Sequence, residues 1–322
     1  MTSNKGSDTS DPSYELKGLR ITGSEGQSYY LKSVVGHGRY GCVYQCFDEK
    51  DASLVAYAAK VITKSSLSVK AVENLKREIK ILQQIDDESV LRMHELLESS
   101  DFLFIIMPFV EGGELFKKVS GCGSFSEKEA RRVLLQIARG LLYLHSHQIC
   151  HRDIKPENIL CSGEAEGYHV VIADFGLSRF YGREELMTTS CGTPPYAAPE
   201  VINHRGPYTE ACDIWSFGVV AFVLFTGCFP FQNPTYTCSG SYDKFVLEHS
   251  GVSPAAREFI ARLFRVNPAE RPTAAYLVNE DPWLTATGGP DVDLTKSASR
   301  LGTLKSSERI TTDDGMADDD AY

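Results

Sequence analysis

Short runs of apolar side chains, broken by glycine or charged turns, pattern the first part of the chain after about residue 27. YYLKSVVGHG (29–38), GCVYQCFDEK (41–50) and SLVAYAAKVIT (53–63) are short, rich in β-branched and aromatic residues, and separated by glycine or charged turns, which predicts strands. SVKAVENLKREIKILQQI (68–85) breaks this pattern. Its Val72, Leu75, Ile79 and Leu82 recur at helical spacing and predict one helix. Glu78 leans to the same side, three residues after Leu75 and four before Leu82; taken alone, such a Glu reads as a solvated flank. DFLFIIMPF (101–109) reads as a further strand.

From residue 125 the period becomes helical. Ser126 and Glu129 form a capping box, and Ala130, Val133, Leu134, Ile137, Ala138, Leu141 and Leu142 form an apolar face behind it. A strand-rich part followed by a helix-rich part suggests two lobes, and ligands favour clefts between lobes. The run Ile214–Phe231 carries no charge, but Gly227 and Pro230 stop a helix near Thr226, leaving it too short to span a membrane. It therefore reads as a buried core helix.

Composition narrows the function classes. The 322-residue chain has 42% hydrophobic and 24% charged residues, ordinary for a globular protein, and a net charge of −10 that disfavours nucleic acid as a partner. Nine cysteines without a CxxC pair or metal-type spacing read as reduced intracellular thiols. MTSNKGSDTSDPSYE has no apolar core and reads as no signal peptide; the expected location is the cytoplasm, with the nucleus left open and no membrane partner. Residues 1–27 and 285–322, rich in small and charged side chains, are expected to be disordered tails, the second ending in DDGMADDDAY.

VVGHGRYGCVY (34–44) carries Gly36, Gly38 and Gly41 in the spacing GxGxxG, which lets a backbone approach phosphate oxygens. A dinucleotide turn needs a helix straight afterwards to hold the pyrophosphate. CVYQCFDEK alternates with a period of two instead, so a strand follows and the dinucleotide reading fails. A strand–glycine loop–strand hairpin suits a lid over nucleotide phosphates.

Further motifs follow in order: AAK (58–60), HRDIKPEN (151–158), DFG (174–176), APE (198–200), DIWSFG (213–218) and ERP (270–272). With them the chain, over about residues 30–284, resembles the eukaryotic protein kinases. The resemblance implies an α+β bilobal fold: residues 28–110 as an antiparallel sheet with one helix, and 111–284 mainly α-helical. It implies ATP and Mg²⁺ as cofactors. Lys60 would hold the α- and β-phosphates, paired with Glu78; Asp174 and Asn158 would ligate Mg²⁺; Asp153 would accept the substrate hydroxyl's proton, and Lys155 would steady the γ-phosphate. Gly36, Gly38 and Gly41 would cover the phosphates. Val35, Val43, Ala58 and Leu160 would surround the base, and Met107, Pro108 and Val110 would form the hinge, with the Pro108 carbonyl and Val110 N–H pairing with adenine. Leu82, Met93, His151 and Phe175 would stack as a spine.

HRDIK, with Lys155, resembles Ser/Thr rather than Tyr kinases. DFGLSR, CGTP, APE and DPW resemble the calcium/calmodulin-dependent group. By that resemblance Thr189, four residues before Thr193, is the activation-loop phosphosite, with Arg152 and Arg179 binding its phosphate. Thr193 lines the substrate channel. Glu114 and Glu157, at the edge of the ATP-binding set, would read an arginine three residues upstream of the target. Expected partners are proteins with basic residues upstream of Ser or Thr, and an upstream activating kinase. The tail itself offers Arg300/Thr303 and Arg309/Thr312 as matching sites. Calmodulin is disfavoured, because Gly302 and many serines interrupt Leu294, Leu301 and Leu304. The alternative, a pseudokinase scaffold, requires a lost Lys, Asp or Asn, and none is lost.

Overall fold

The computed structural model describes residues 16–23, 26–38, 41–50, 55–122, 125–163, 167–182, 187–189, 191–203 and 206–286. Arg39, Ser190, the two tail sites around Thr303 and Thr312, and the segment considered for calmodulin lie outside the described residues. The chain divides into two compact units between Glu111 and Gly112.

The first unit has strands β1 (Arg20–Thr22), β2 (Ser28–Gly38), β3 (Gly41–Asp48) and β4 (Ala56–Thr63), helix α1 (Val69–Leu82), and strands β5 (Glu95–Glu98) and β6 (Phe102–Pro108). Among the described residues its sheet is six-stranded and antiparallel, ordered β1-β2-β3-β4-β6-β5. One face buries Ile21, Tyr29, Leu31, Tyr44, Cys46, Ala59, Val61, Phe104 and Ile106 as a single core. The Tyr29 hydroxyl is satisfied there by Glu95 Oε2 at 2.9 Å.

Strand β1 corrects the expected tail boundary. Arg20–Thr22 pairs with Ser28–Tyr30, and Ile21 is buried. Averaging composition over 1–27 hid this strand, because a three-residue edge element needs only one inward side chain. Helix α1 starts at the Ser68 cap, whose side chain accepts from the Ala71 N–H. Its buried face is Ala71, Leu75, Glu78 and Leu82 with Ile81, while Val72 and Ile79 are half-buried. The stripe is thus rotated from the expected one, and Glu78 sits inside it rather than on a solvated flank.

The second unit contains α2 (Leu115–Cys122), α3 (Glu127–Ser146), β7 (Ile149–Cys150), β8 (Ile159–Ser162), β9 (His169–Ile172), β10 (Arg179–Phe180), α4 (Pro199–Ile202), α5 (Ala211–Thr226), α6 (Pro234–Ser239), α7 (Lys244–His249), α8 (Pro254–Leu263) and α9 (Ala274–Asn279). The Ser126–Glu129 capping box opens α3. On α3, Leu144 is buried where Leu142 is half-buried. Helix α5 is buried from Cys212 to Thr226 and ends at Gly227, whose φ of 70° is left-handed. That stop is where the sequence places it. No helix among the described residues is long and apolar enough to cross a membrane.

Candidate active site

In the first unit, cross-strand register assembles the nucleotide-type residues. Directly opposed residues share a face of the sheet. Gly36 opposes Val43, Val43 opposes Lys60, and Lys60 opposes Ile105; Ala58 opposes Met107. Val43, Ala58, Lys60 and Met107 therefore line one face, away from the core of Tyr29 and Val61. A Cβ added at Gly38 would lie 3.9 Å from Lys60 Cε, so the glycine hairpin reaches over this lysine. Gly41 has a reason of its own. A Cβ there would lie 1.9 Å from the Val61 carbonyl oxygen, so only glycine lets β3 cross β4 at this point.

Lys60 Nζ lies 2.6 Å from Glu78 Oε1, with side chains 17% and 4% exposed. A buried carboxylate is tolerable because this ammonium neutralises it, and the pair fixes α1 to β4. Pro108 ends β6 opposite Tyr57, and the Phe109 N–H bonds Ala56 O at 3.2 Å. The Val110 N–H takes no partner among the described residues. Val35 is exposed. His37 Nδ1 contacts Cys42 Sγ.

In the second unit the residues around HRDIKPEN converge on one carboxylate. Asp153 Oδ1 accepts from Thr193 N at 3.0 Å and Thr193 Oγ1 at 2.8 Å. Asp153 Oδ2 accepts from Asn158 Nδ2 at 2.9 Å and faces Lys155 Nζ at 3.0 Å. Lys155 also donates to Thr193 Oγ1 at 2.7 Å. Burial alone would raise the Asp153 carboxyl; the Lys155 ammonium, its hydrogen bond and the Thr193 donor outweigh it and hold the group below the usual range. Asp153 is therefore ionised at neutral pH.

The amide nitrogen of Asn158 is used by Asp153, leaving its oxygen as the group a cation could take. Asp174 is exposed, has a left-handed φ of 60° and accepts from the Gly176 N–H at 3.2 Å. An amide oxygen and a carboxylate are hard donors, a set that fits Mg²⁺. Leu160 opposes Val171 and bridges Glu114. Glu114 pairs with Lys117 at 3.3 Å. Glu157 Oε2 is buried with no hydrogen-bond partner among the described residues, and burial raises this carboxyl. Of the spine residues, His151 and Phe175 meet edge-on at 5.2 Å. Leu82 is buried and Met93 half-buried in their own unit.

The HRDIKPEN loop is held from below by Asp213, the first residue of the DIWSFG motif. Asp213, fully buried, accepts from Arg152 N at 2.8 Å, His151 N at 2.9 Å and His145 Nε2 at 3.0 Å. These bonds fix Arg152 at a left-handed φ of 68°. The signal was present: a lone Asp at the head of an uncharged helix must be compensated if buried. The APE and ERP motifs likewise meet. Arg271 binds Glu200 through two nitrogens at 2.6 and 2.7 Å. The two arginines expected to bind a Thr189 phosphate differ in setting. Arg179 lies in β10, opposite Cys150. Arg152 is buried and already bonded to Leu177 O and Tyr208 Oη. Thr189 is exposed.

The family model of the protein kinase domain matches residues 29–284, a span that takes in both the Lys60–Glu78 pair of the first unit and the Asp153 cluster of the second. The chain belongs to the protein kinase family. A probable myosin light chain kinase of Dictyostelium discoideum is 41% identical over 265 residues, covering 80% of this chain and 75% of that protein. Myosin light chain kinase A of the same organism is 36% identical over 289 residues, covering 88% and 94%. The calcium/calmodulin-dependent protein kinase type 1 of Caenorhabditis briggsae is 33% identical over 270 residues, covering 82% and 74%. The protein is accordingly a eukaryotic Ser/Thr protein kinase similar to the calcium/calmodulin-dependent group.

Proposed function

We propose that this kinase uses MgATP to phosphorylate Ser or Thr three residues after an arginine in protein substrates. The observation that carries the catalytic part is the Asp153 carboxylate, ionised and aimed by Thr193, Lys155 and Asn158. In this reading Asp153 accepts the proton of the substrate hydroxyl as that oxygen attacks. Lys155 offsets negative charge beside it. Lys60, oriented by Glu78, binds the α- and β-phosphates, and the glycine hairpin supplies backbone N–H groups over them. Asn158 and Asp174 hold Mg²⁺, which when bound neutralises phosphate charge. The Val110 N–H and Pro108 carbonyl pair with adenine between Val35, Val43, Ala58 and Leu160, with Met107 behind.

The basophilic preference is supported by Glu157, whose Oε2 is buried without a partner among the described residues, and by Glu114 nearby in sequence to the hinge. A guanidinium would satisfy Glu157 with a charge-assisted bond. A phosphate on Thr189 is proposed to raise activity through Arg179, laid down by an upstream kinase. Calmodulin is a disfavoured partner, because its candidate segment is broken by glycine and serine. The cytoplasm is the proposed location, in keeping with cysteines that form no disulfide among the described residues.

The test is phosphate incorporation from MgATP into paired peptides with and without Arg at the −3 position, including a myosin light chain peptide suggested by the relatives' names. Wild type should label the Arg peptides preferentially, and Asp153→Asn should lose the signal. Equal labelling by both proteins would overturn the catalytic assignment, and equal labelling of both peptides the substrate assignment.

A further inference from the structure

Arg152, the arginine expected to grip an activating phosphate, already has its guanidinium engaged. Its Nε donates to Leu177 O at 2.7 Å and its Nη1 to Tyr208 Oη at 2.8 Å. The Tyr208 hydroxyl passes the bond on, donating to Thr189 O at 2.8 Å. Tyr208 also grips the same stretch by backbone: its N–H bonds Met187 O at 2.9 Å, and Cys191 Sγ lies 3.7 Å from its hydroxyl. Tyr208 is 6% exposed and Arg152 9%. Burial raises the Tyr208 phenol, so it stays a donor as well as an acceptor.

Immediately downstream, Gly192 packs against the catalytic loop. A Cβ there would lie 2.7 Å from Arg152 O, and its φ of 104° suits glycine. Thr193 then bonds Asp153. One guanidinium and one phenol thus join the catalytic loop, the residue after DFG and residues 187–191. A phosphothreonine would make the same kind of bridge, from an arginine to this segment. The Nη1 that would meet a phosphate on Thr189 is already bonded to Tyr208, which in turn holds the Thr189 backbone.

We propose that Tyr208 is a positioning residue that takes the place of a phosphate: the chain Arg152–Tyr208–Thr189 backbone holds the activation segment in its working position while Thr189 is unmodified. Phosphate on Thr189 then adds to an activity that already exists. The proposal rests on the kinase reading above.

The test compares wild type and Tyr208→Phe, each treated with phosphatase and checked by mass spectrometry, then phosphorylated on Thr189. Phe keeps the ring and removes only the relay. Dephosphorylated wild type should phosphorylate peptide substrate. Dephosphorylated Tyr208→Phe should fall about tenfold in peptide kcat/KM, the worth of one hydrogen bond to a charged group. Its KM for ATP should not change. Thr189 phosphorylation should restore the variant, because Arg152 is then open to the phosphate. Hydrogen exchange should accelerate in 187–193 alone. Full activity of the dephosphorylated variant, uniform acceleration across the second unit, or a dephosphorylated wild type that is inactive until phosphorylated would each overturn the proposal. Wild type inactive in both states would instead refute the kinase reading itself.

Discussion

Replacing Asp213 by Asn keeps shape and removes one acceptor. The carboxylate accepts two backbone N–H groups at 2.8 and 2.9 Å and faces His145 Nε2 at 3.0 Å, all without solvent. An amide offers a single oxygen, so in either orientation one backbone donor faces an NH₂ group. Losing a bond to a charged acceptor and orphaning a buried N–H costs several kcal/mol, part of which is regained by no longer burying a charge; the net is about 2–4 kcal/mol. At roughly 2–4 °C per kcal/mol for a unit of this size, melting should fall by about 4–16 °C. The functional effect should be larger. Arg152 holds a left-handed conformation that costs about 1–3 kcal/mol for a non-glycine residue, and Asp213 supplies the bonds that enforce it. Once these weaken, the loop relaxes and shifts Asp153, the next residue. A displacement on the order of 1 Å lowers turnover about 100-fold. The assay is peptide phosphorylation at a temperature where both proteins are folded, with melting followed in parallel.

Acid sensitivity gives an independent readout of the same substitution. Burial alone would raise the Asp213 carboxyl, but the His145 and backbone donors outweigh it and hold it below the usual range. A depressed carboxyl contributes stability that is present above its unfolded value, about 4, and lost as pH falls through the folded value. Wild-type melting should therefore drop steeply below about pH 4, and Asp213→Asn should flatten that slope. A folded variant with wild-type kcat, or an unchanged acid slope, would refute the reasoning.

Arg271→Lys should cost about 3–5 kcal/mol in denaturant unfolding, because Lys brings three donors where Arg uses five. Those five reach Glu200 Oε1 and Oε2 and the carbonyls of Ala211, Arg265 and Val266, and an unchanged midpoint would contradict this. For Glu157, whose carboxyl burial raises, the ionised form proposed to bind a guanidinium is lost at higher pH than for an ordinary Glu. KM for an Arg-containing peptide should rise on acidification above the normal carboxylate range, and Glu157→Gln should raise KM at neutral pH and remove the dependence.

The sequence by itself determined the elements and the chemistry. Short β-branched and aromatic runs became β2, β3 and β4, and a continuous apolar run became β6; the Ser126 capping box opened α3; Gly227 closed α5. These are local matters of propensity, capping and backbone freedom, so a short window carries them. The order of motifs from Gly36 to Arg271 likewise carried the resemblance to protein kinases, whose phosphoryl transfer uses the Lys, Asp and Asn among them. Only the tertiary structure decided what each polar group compensates. Glu78 and Asp213 are buried charges on helices, and nothing local says which ammonium or backbone N–H neutralises them. Gly41 was legible as a phosphate-loop glycine, yet its strictest requirement comes from Val61, across the sheet. Tyr208 carried no motif at all; its hydroxyl acquires meaning only when folding brings Arg152, 56 positions away, and Thr189, 19 away, within hydrogen-bond distance. Burial makes such pairings obligatory, and long-range contacts choose the partners.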